Sequence, residues 1–270
     1  MIDFLTAVFT DPLTLGVLAT FGVFALFETV RPGRRFPPMR AWRIQGVVLL
    51  VSAIALTSAV PLVWDDWFAA HRLFDATGLG HVGGAFAGFG ILSLAIYVWH
   101  RLLHRIPFLW RHLHQTHHSA ERIDVFGAFL FHPLDLIGLS LVTSVSLVLV
   151  VGLTAPAAVA ASLGATFCTM FQHANIRTPR WLGFVIQRPE SHGVHHQRGV
   201  HAYNYGDIPI WDMLFGTFRN PREFDGEVGF HDGASRRFGA LLVGKDIAEE
   251  GREASAEGPA DAREPARMAG

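Results

Sequence analysis

Four apolar runs limit the folds open to this chain more than any other feature. They occupy residues 13–30, 44–63, 83–99 and 134–153, and a shorter fifth run covers 157–172. At 1.5 Å of helical rise per residue, runs of this length reach across most of a hydrocarbon layer about 30 Å thick. The expected fold is therefore an all-α integral membrane protein with four to five transmembrane or hairpin helices. Half of the 270 residues are apolar and 17% are charged, and the charge sits between the runs. A formal net charge of −1 gives no reason to expect a nucleic-acid partner.

Charge also orients the runs. The segment after the first run carries Arg31, Arg34, Arg35, Arg40 and Arg43 with no acid. That bias marks a cytoplasmic loop and puts the N-terminus outside. Residues 64–80 carry Asp65, Asp66 and Asp75 with aromatic Trp64, Trp67, Phe68 and Phe74, which suits an outer interface. Glu28, near the end of the first run, is expected at the interface. The third run then heads inward, and Arg101, Arg105 and Arg111 follow it. The expected organisation is transmembrane helices over 1–99, a first cytosolic region over 100–133, a membrane hairpin over 134–173, turning at residues 154–156, and a second cytosolic region over 174–244. Residues 181–186 read as an interfacial segment, and 245–270, rich in Ala, Gly, Glu and Pro, as a disordered tail. The first ten residues carry Asp3 and no basic residue, so no cleavable signal peptide is expected.

The histidines supply the chemistry. Six of fifteen lie between His100 and His118. His100 and His104 are four apart, and His114, His117 and His118 form an HxxHH. Residues three and four apart share a helix face, so each set is expected to aim at one point. A second HxxHH is His192, His195 and His196, with His132, His173 and His201 around it. Neutral imidazole is the commonest metal ligand in proteins. Eight imidazoles from the repeated motifs exceed the needs of one tetrahedral ion and point to a pair of metals. Span count, arginine bias and hairpin parity put all of these histidines on one membrane face, the cytoplasmic one. His71 and His81 fall on the other side, and His112 and His231 read as structural. The single cysteine, Cys168, lies in an apolar run and excludes Cys-rich metal sites. Imidazole suits Zn, Cu, Fe and Ni alike, so the donors do not name the metal.

The HRLLH at 100–104, HQTHHS at 114–119, FHP at 131–133, QHAN at 172–175 and HGVHH at 192–196 resemble the histidine signature of the fatty acid hydroxylase/sterol desaturase family. Residues 204–218, NYGDIPIWDMLFGTF, resemble the block that follows its last histidine box. The resemblance implies a membrane-bound oxidoreductase holding two non-haem iron ions, which uses O2 and electrons to hydroxylate or desaturate a C–H bond of a lipid. It implies His100, His104, His114, His117, His118, His132, His173, His192, His195 and His196 as metal ligands, with His201 as a further ligand or supporting group. No dinucleotide-binding fingerprint or cytochrome-type domain is present in the sequence, so a separate electron donor is implied: a reductase, a ferredoxin or a cytochrome. The rival reading is a metal-ion transporter with a histidine-rich cytosolic domain. Transport sites need polar or ionisable groups inside the membrane, facing a cavity, and the centres of these runs offer only Ser and Thr. A bis-histidine haem site would leave the HxxHH triplets unexplained.

Overall fold

The computed structural model describes residues 1–36 and 38–250. It is helical, and among these residues the sole strand-type pairing is an isolated bridge between Gln197 and Val228. Twelve α-helices are described: α1 (Ile2–Thr10), α2 (Pro12–Val30), α3 (Trp42–Ala59), α4 (Asp65–Ala70), α5 (Gly80–Arg105), α6 (Pro107–Leu109), α7 (Gln115–His118), α8 (Pro133–Ser144), α9 (Ala155–His173), α10 (Pro189–His195), α11 (Ile210–Leu214) and α12 (Phe238–Leu242). Four helical segments are long and apolar enough to cross a membrane: Pro12–Val30, Trp42–Val63, Thr77–Arg105 and Pro133–Val150. The chain is an integral membrane protein. Most of each span faces outward, with Val23, Leu26 and Phe27 of α2 and Ile44 and Val48 of α3 exposed.

Local chemistry sets the boundaries. Asp11 caps α2 by accepting the backbone N–H groups of Leu13 and Thr14, and Pro12 fills the first helical position, where its missing N–H costs nothing. α5 does not stop at Trp99 but continues through both histidines to Arg105. It ends because Ile106 precedes Pro107 and is held extended (φ −97°, ψ 110°). Pro156 lies in the first turn of α9 rather than in a tight turn before it. The turn itself is residues 151–154, where Gly152 adopts φ +67°. A Cβ there would overlap the Phe74 carbonyl oxygen of the loop folded over the hairpin tip.

α9 runs alongside α5, and small residues let the two approach. Gly84 meets Ala157, Gly88 meets Leu153 and Ala161, and Gly164 meets the Phe89 ring. Such small-residue seams replace the hydrophobic effect, which does not drive helices together in lipid. Partner numbers rise together on both helices, so α9 is parallel to α5 and both end in histidine-bearing turns at the same end. A second core joins α2, α3, α8 and α9 through Phe21, Leu50, Ala53, Leu136 and Met170.

Glu28 is buried rather than interfacial. Its Oε1 accepts the N–H groups of Val125 (2.7 Å) and Asn175 (2.6 Å). Trp42 at the start of α3 donates Nε1–H to Asp124 at 2.8 Å. These bonds gather the ends of α2, α3 and α9 beneath the histidines. The stretch expected to be a disordered tail opens with packed residues. Ile247 is buried beside Leu241, and its N–H donates to Gln115 Oε1, while Gln115 Nε2 donates to Lys245 O. The rest of that stretch, 251–270, lies outside the described residues.

Candidate metal centre

Nine histidines converge in two adjacent groups. His100, His104, His114, His118 and His195 form one, and His117, His173, His192 and His196 the other. Within each group the nearest ligand atoms all lie within 4.8 Å of one another. His118 and His196 stack at 4.2 Å between centroids, so the groups touch.

The grouping corrects the expectation that each HxxHH aims at one point. His114 and His118 enter the first group and His117 the second. In the other motif His192 and His196 enter the second group and His195 the first. Successive helical residues turn by about 100°, so the paired histidines of each motif point well apart, and i with i+4 share a target. A π-helical turn at Trp110–His114 leads into α7. The two motifs are thus used reciprocally, each giving two ligands to one group and one to the other.

Hydrogen bonds select the tautomers. In the first group His100 donates Nδ1–H to the Tyr205 carbonyl (2.8 Å), His195 to that of Tyr203 (2.7 Å), and His114 to the buried Asp135 carboxylate (2.8 Å). Each bond leaves Nε2 as a lone pair aimed inward. The Nε2 atoms of all five histidines in this group are buried with no hydrogen-bond partner. In the second group His173 donates Nδ1–H to Thr169 O (2.8 Å), while four Nε2 atoms crowd together: His117 to His173 at 3.1 Å, His173 to His192 at 3.2 Å and His192 to His196 at 3.1 Å. Burial first, and neighbouring imidazoles second, hold His117, His118, His192, His195 and His196 well below the usual 6.5. These rings are neutral near pH 7. Buried, neutral, orphaned nitrogens aimed at common points are costly unless a cation completes them. The donor set fits metal ions.

Two expected ligands lie outside both groups. His132 spends both nitrogens elsewhere: Nδ1 caps α8 by accepting Leu134 N–H at 3.1 Å, and Nε2 donates to Leu242 O at 3.2 Å. The proline after it signalled a helix start, and capping is what that position requires. His201, held at φ +40°, places Nδ1 at 3.0 Å from His118 Nδ1, beside the first group. At the other end of the bundle His71 stacks on Trp67 and His81 bonds Thr154, while at the histidine-bearing end His112 stacks on Phe108, all in structural roles.

Several supporting groups carry no metal-ligand signature in the sequence. Asp212 is buried and accepts from Tyr205 N–H, Gly206 N–H and the Thr217 hydroxyl, shaping the loop whose carbonyls hold His100 and His195. Arg188, wholly buried, binds Thr178, Asn220 and Glu190 and fixes the start of α10. The NYG block hinted at the first; nothing local hinted at the second.

Beneath the histidines lies a cavity of about 740 Å³. It begins at His100, His114, His117, His173 and His192, runs between α3, α5, α8 and α9, and ends near Phe4, Asp11 and Asp65. From Ala158 to His173 its wall along α9 extends about 22 Å. Ser140, Thr143, Ser162, Thr166 and Thr169 on its walls return their hydroxyls to carbonyls of their own helices, which leaves an apolar surface.

A family model described as fatty acid hydroxylase matches residues 85–217, which hold both histidine groups. A Delta(7)-sterol-C5(6)-desaturase of Nicotiana tabacum is 32% identical over 224 residues, 78% of this chain and 79% of that protein. The chain belongs to the fatty acid hydroxylase family. It is also similar to the ornithine lipid hydroxylase OlsE of Rhizobium tropici, at 29% identity over 256 residues, 87% of this chain and 76% of that protein. Human alkylglycerol monooxygenase is 29% identical over 182 residues, 65% of this chain and 38% of that protein. No solved structure matches. Membership confirms the family inferred from the histidine boxes, makes the chain an O2-using oxidoreductase of lipid metabolism, and sets the transporter reading aside.

Proposed function

We propose that the chain hydroxylates an alkyl chain of a membrane lipid at a di-iron centre. The first iron is held by His100, His104, His114, His118 and His195, the second by His117, His173, His192 and His196. The observation that carries this is the set of five orphaned Nε2 atoms beside four convergent ones, at the histidine-lined end of a largely apolar cavity. Bound iron supplies the binding and reduction of O2 and the oxidising power to break an unactivated C–H bond. The overall reaction consumes R–H, O2, two electrons and two protons and yields R–OH and water.

The protein's part is positioning and exclusion. A saturated chain advances about 1.25 Å per carbon, so a wall of about 22 Å accommodates roughly seventeen carbons. Phe129, Phe131, Leu136 and Leu139 line the cavity near the histidines and keep water from the reacting carbon. The carbonyls of Tyr203 and Tyr205 and the Asp135 carboxylate hold the imidazoles in the ligating tautomer. Hydroxylation is preferred to desaturation because the ornithine lipid hydroxylase is the relative above that covers most of this chain. Arg31, Arg34, Arg35, Arg40, Arg43, Arg101, Arg105 and Arg111 flank the histidine-bearing ends of the spans, which supports a cytoplasmic position for the site. Electrons come from a separate reductase, ferredoxin or cytochrome.

The test is metal content of the detergent-purified chain beside His117→Ala and His195→Ala variants, with lipid mass spectrometry of the expressing cells. Two irons per chain, reduced in each variant, with a lipid gaining one oxygen that both variants abolish, is the expected result. One iron, a haem spectrum, or a product that lost two hydrogens without gaining oxygen would overturn the di-iron hydroxylase reading.

A further inference from the structure

The segment after the last histidine box does not stay level with the histidines. Trp211 donates Nε1–H to Ser93 Oγ at 2.9 Å, and Phe215 stacks on Tyr97 with centroids 5.3 Å apart. Ser93 precedes His100 on the spanning helix α5 by a distance of roughly 10 Å along its axis. It also lies about 9 Å inside Trp99, where the apolar run of that span ends. α11 therefore packs on the outside of α5 at a depth that belongs to the bilayer.

Its outer surface matches that depth. Ile210 is 55% exposed, Leu214 68%, Phe215 47% and Met213 40%. No charge interrupts this face, because Asp207 and Asp212 are both buried. The backbone is satisfied internally: Met213 N–H donates to Pro209 O, Phe215 N–H to Trp211 O, and Thr217 and Phe218 N–H to Asp212 O. Internal satisfaction is what hydrocarbon demands of a re-entrant segment. Beyond α11, Phe218 meets Phe184, whose neighbours Trp181 and Val185 are also exposed. Arg219, its guanidinium over the Tyr203 ring at 4.1 Å, marks the headgroup side.

We propose that residues 210–215 are a membrane-inserted anchor, a re-entrant element of the histidine-bearing end whose exposed face is covered by lipid acyl chains. An inserted apolar face at 5–10 Å depth is typical of interfacial helices. The anchor is tied to the site, since Asp212 of α11 binds the N–H groups of Tyr205 and Gly206, and Tyr205 O holds His100. Insertion thus sets the register of the site against the bilayer that delivers its substrate.

The experiment places single spin labels on the full-length, metal-loaded chain in lipid nanodiscs, at Ile210→Cys, Leu214→Cys and, as an aqueous control, Glu227→Cys. Buried Cys168 stays in place, and labelling of the unsubstituted chain checks its silence. Collision with O2 should exceed collision with a water-soluble nickel chelate severalfold at 210 and 214, and the order should reverse at 227. Nickel accessibility at 214 equal to that at 227 would overturn the proposal. In parallel, the unsubstituted chain is irradiated with a diazirine-bearing phospholipid. Adducts on the peptide holding residues 210–215, at levels like those on α2, are expected. Adducts on α2 with none on that peptide would overturn it without relying on any substitution.

Discussion

His114 and Asp135 lie 2.8 Å apart, Nδ1 to Oδ2, with both side chains about 4% exposed. The pair joins the turn before α7 to the first turn of α8, so the chain that bears a proposed metal ligand also carries, twenty-one residues later, the carboxylate that orients it. Partners of this kind commonly contribute about 10–100-fold to metal affinity. Asp135→Ala should lower iron retention against a chelator by about that factor. Asp135→Asn, whose amide oxygen still accepts the imidazole N–H, should fall between. Equal retention in all three proteins would remove Asp135 from the centre.

Glu28 clamps the end of the first span to both histidine-bearing connections. Glu28→Ala strands the N–H groups of Val125 and Asn175 in a buried site, each at about 1–3 kcal/mol. Thermal unfolding in detergent should show a loss of about 2–5 kcal/mol. Glu28→Gln retains an acceptor oxygen and should lose much less. A melting temperature unchanged in Glu28→Ala would show that water reaches these groups.

The iron-free chain should be sensitive to acid. Burial lowers the pKa of His117, His118, His192, His195 and His196 in the folded state, while the unfolded chain titrates near 6.5. Below about pH 6.5 the unfolded state therefore binds more protons, and stability rises with pH through that region and levels off above it. Melting curves of chelated protein between pH 5.5 and 7.5 should show the drop. A flat profile would mean that the rings are solvated when no metal is bound.

Arg188 supports α10 from below. Its guanidinium donates to Thr178 Oγ1 and O, Asn220 Oδ1 and Pro221 O, and pairs with Glu190 at 3.0 Å, all with the side chain wholly buried. Arg188→Ala leaves the Glu190 carboxylate without its cation, which for buried pairs costs about 3–5 kcal/mol. Arg188→Lys supplies a point charge without the planar fork and should recover part of that loss. Chemical denaturation followed by iron release would measure both. A wild-type midpoint in Arg188→Ala would refute the keystone role.

Hydrophobic run length, the HxxxH pair and the two HxxHH motifs were enough to name the spanning helices and eight of the nine histidines that converge; the ninth, His173, came from the family resemblance, which also named His132 and His201. These are local properties, written in neighbours three or four positions apart and in the length of a run. The division of each triplet between two groups was beyond them, because it depends on how two short helices are rotated against each other. Contacts between distant residues also settled that His132 Nε2 meets Leu242 O, that His201 lies against His118, and that Glu28 binds Asn175 across 147 positions. α11 is the clearest instance: its apolar residues read as part of a cytosolic block, and only the tertiary structure shows them packed against Ser93 and Tyr97 of the spanning helix α5. A histidine or glutamate reads alike in sequence whether its lone pair meets a metal, a backbone N–H or water. The tertiary structure chooses among these by deciding which partners are within reach once solvent is excluded.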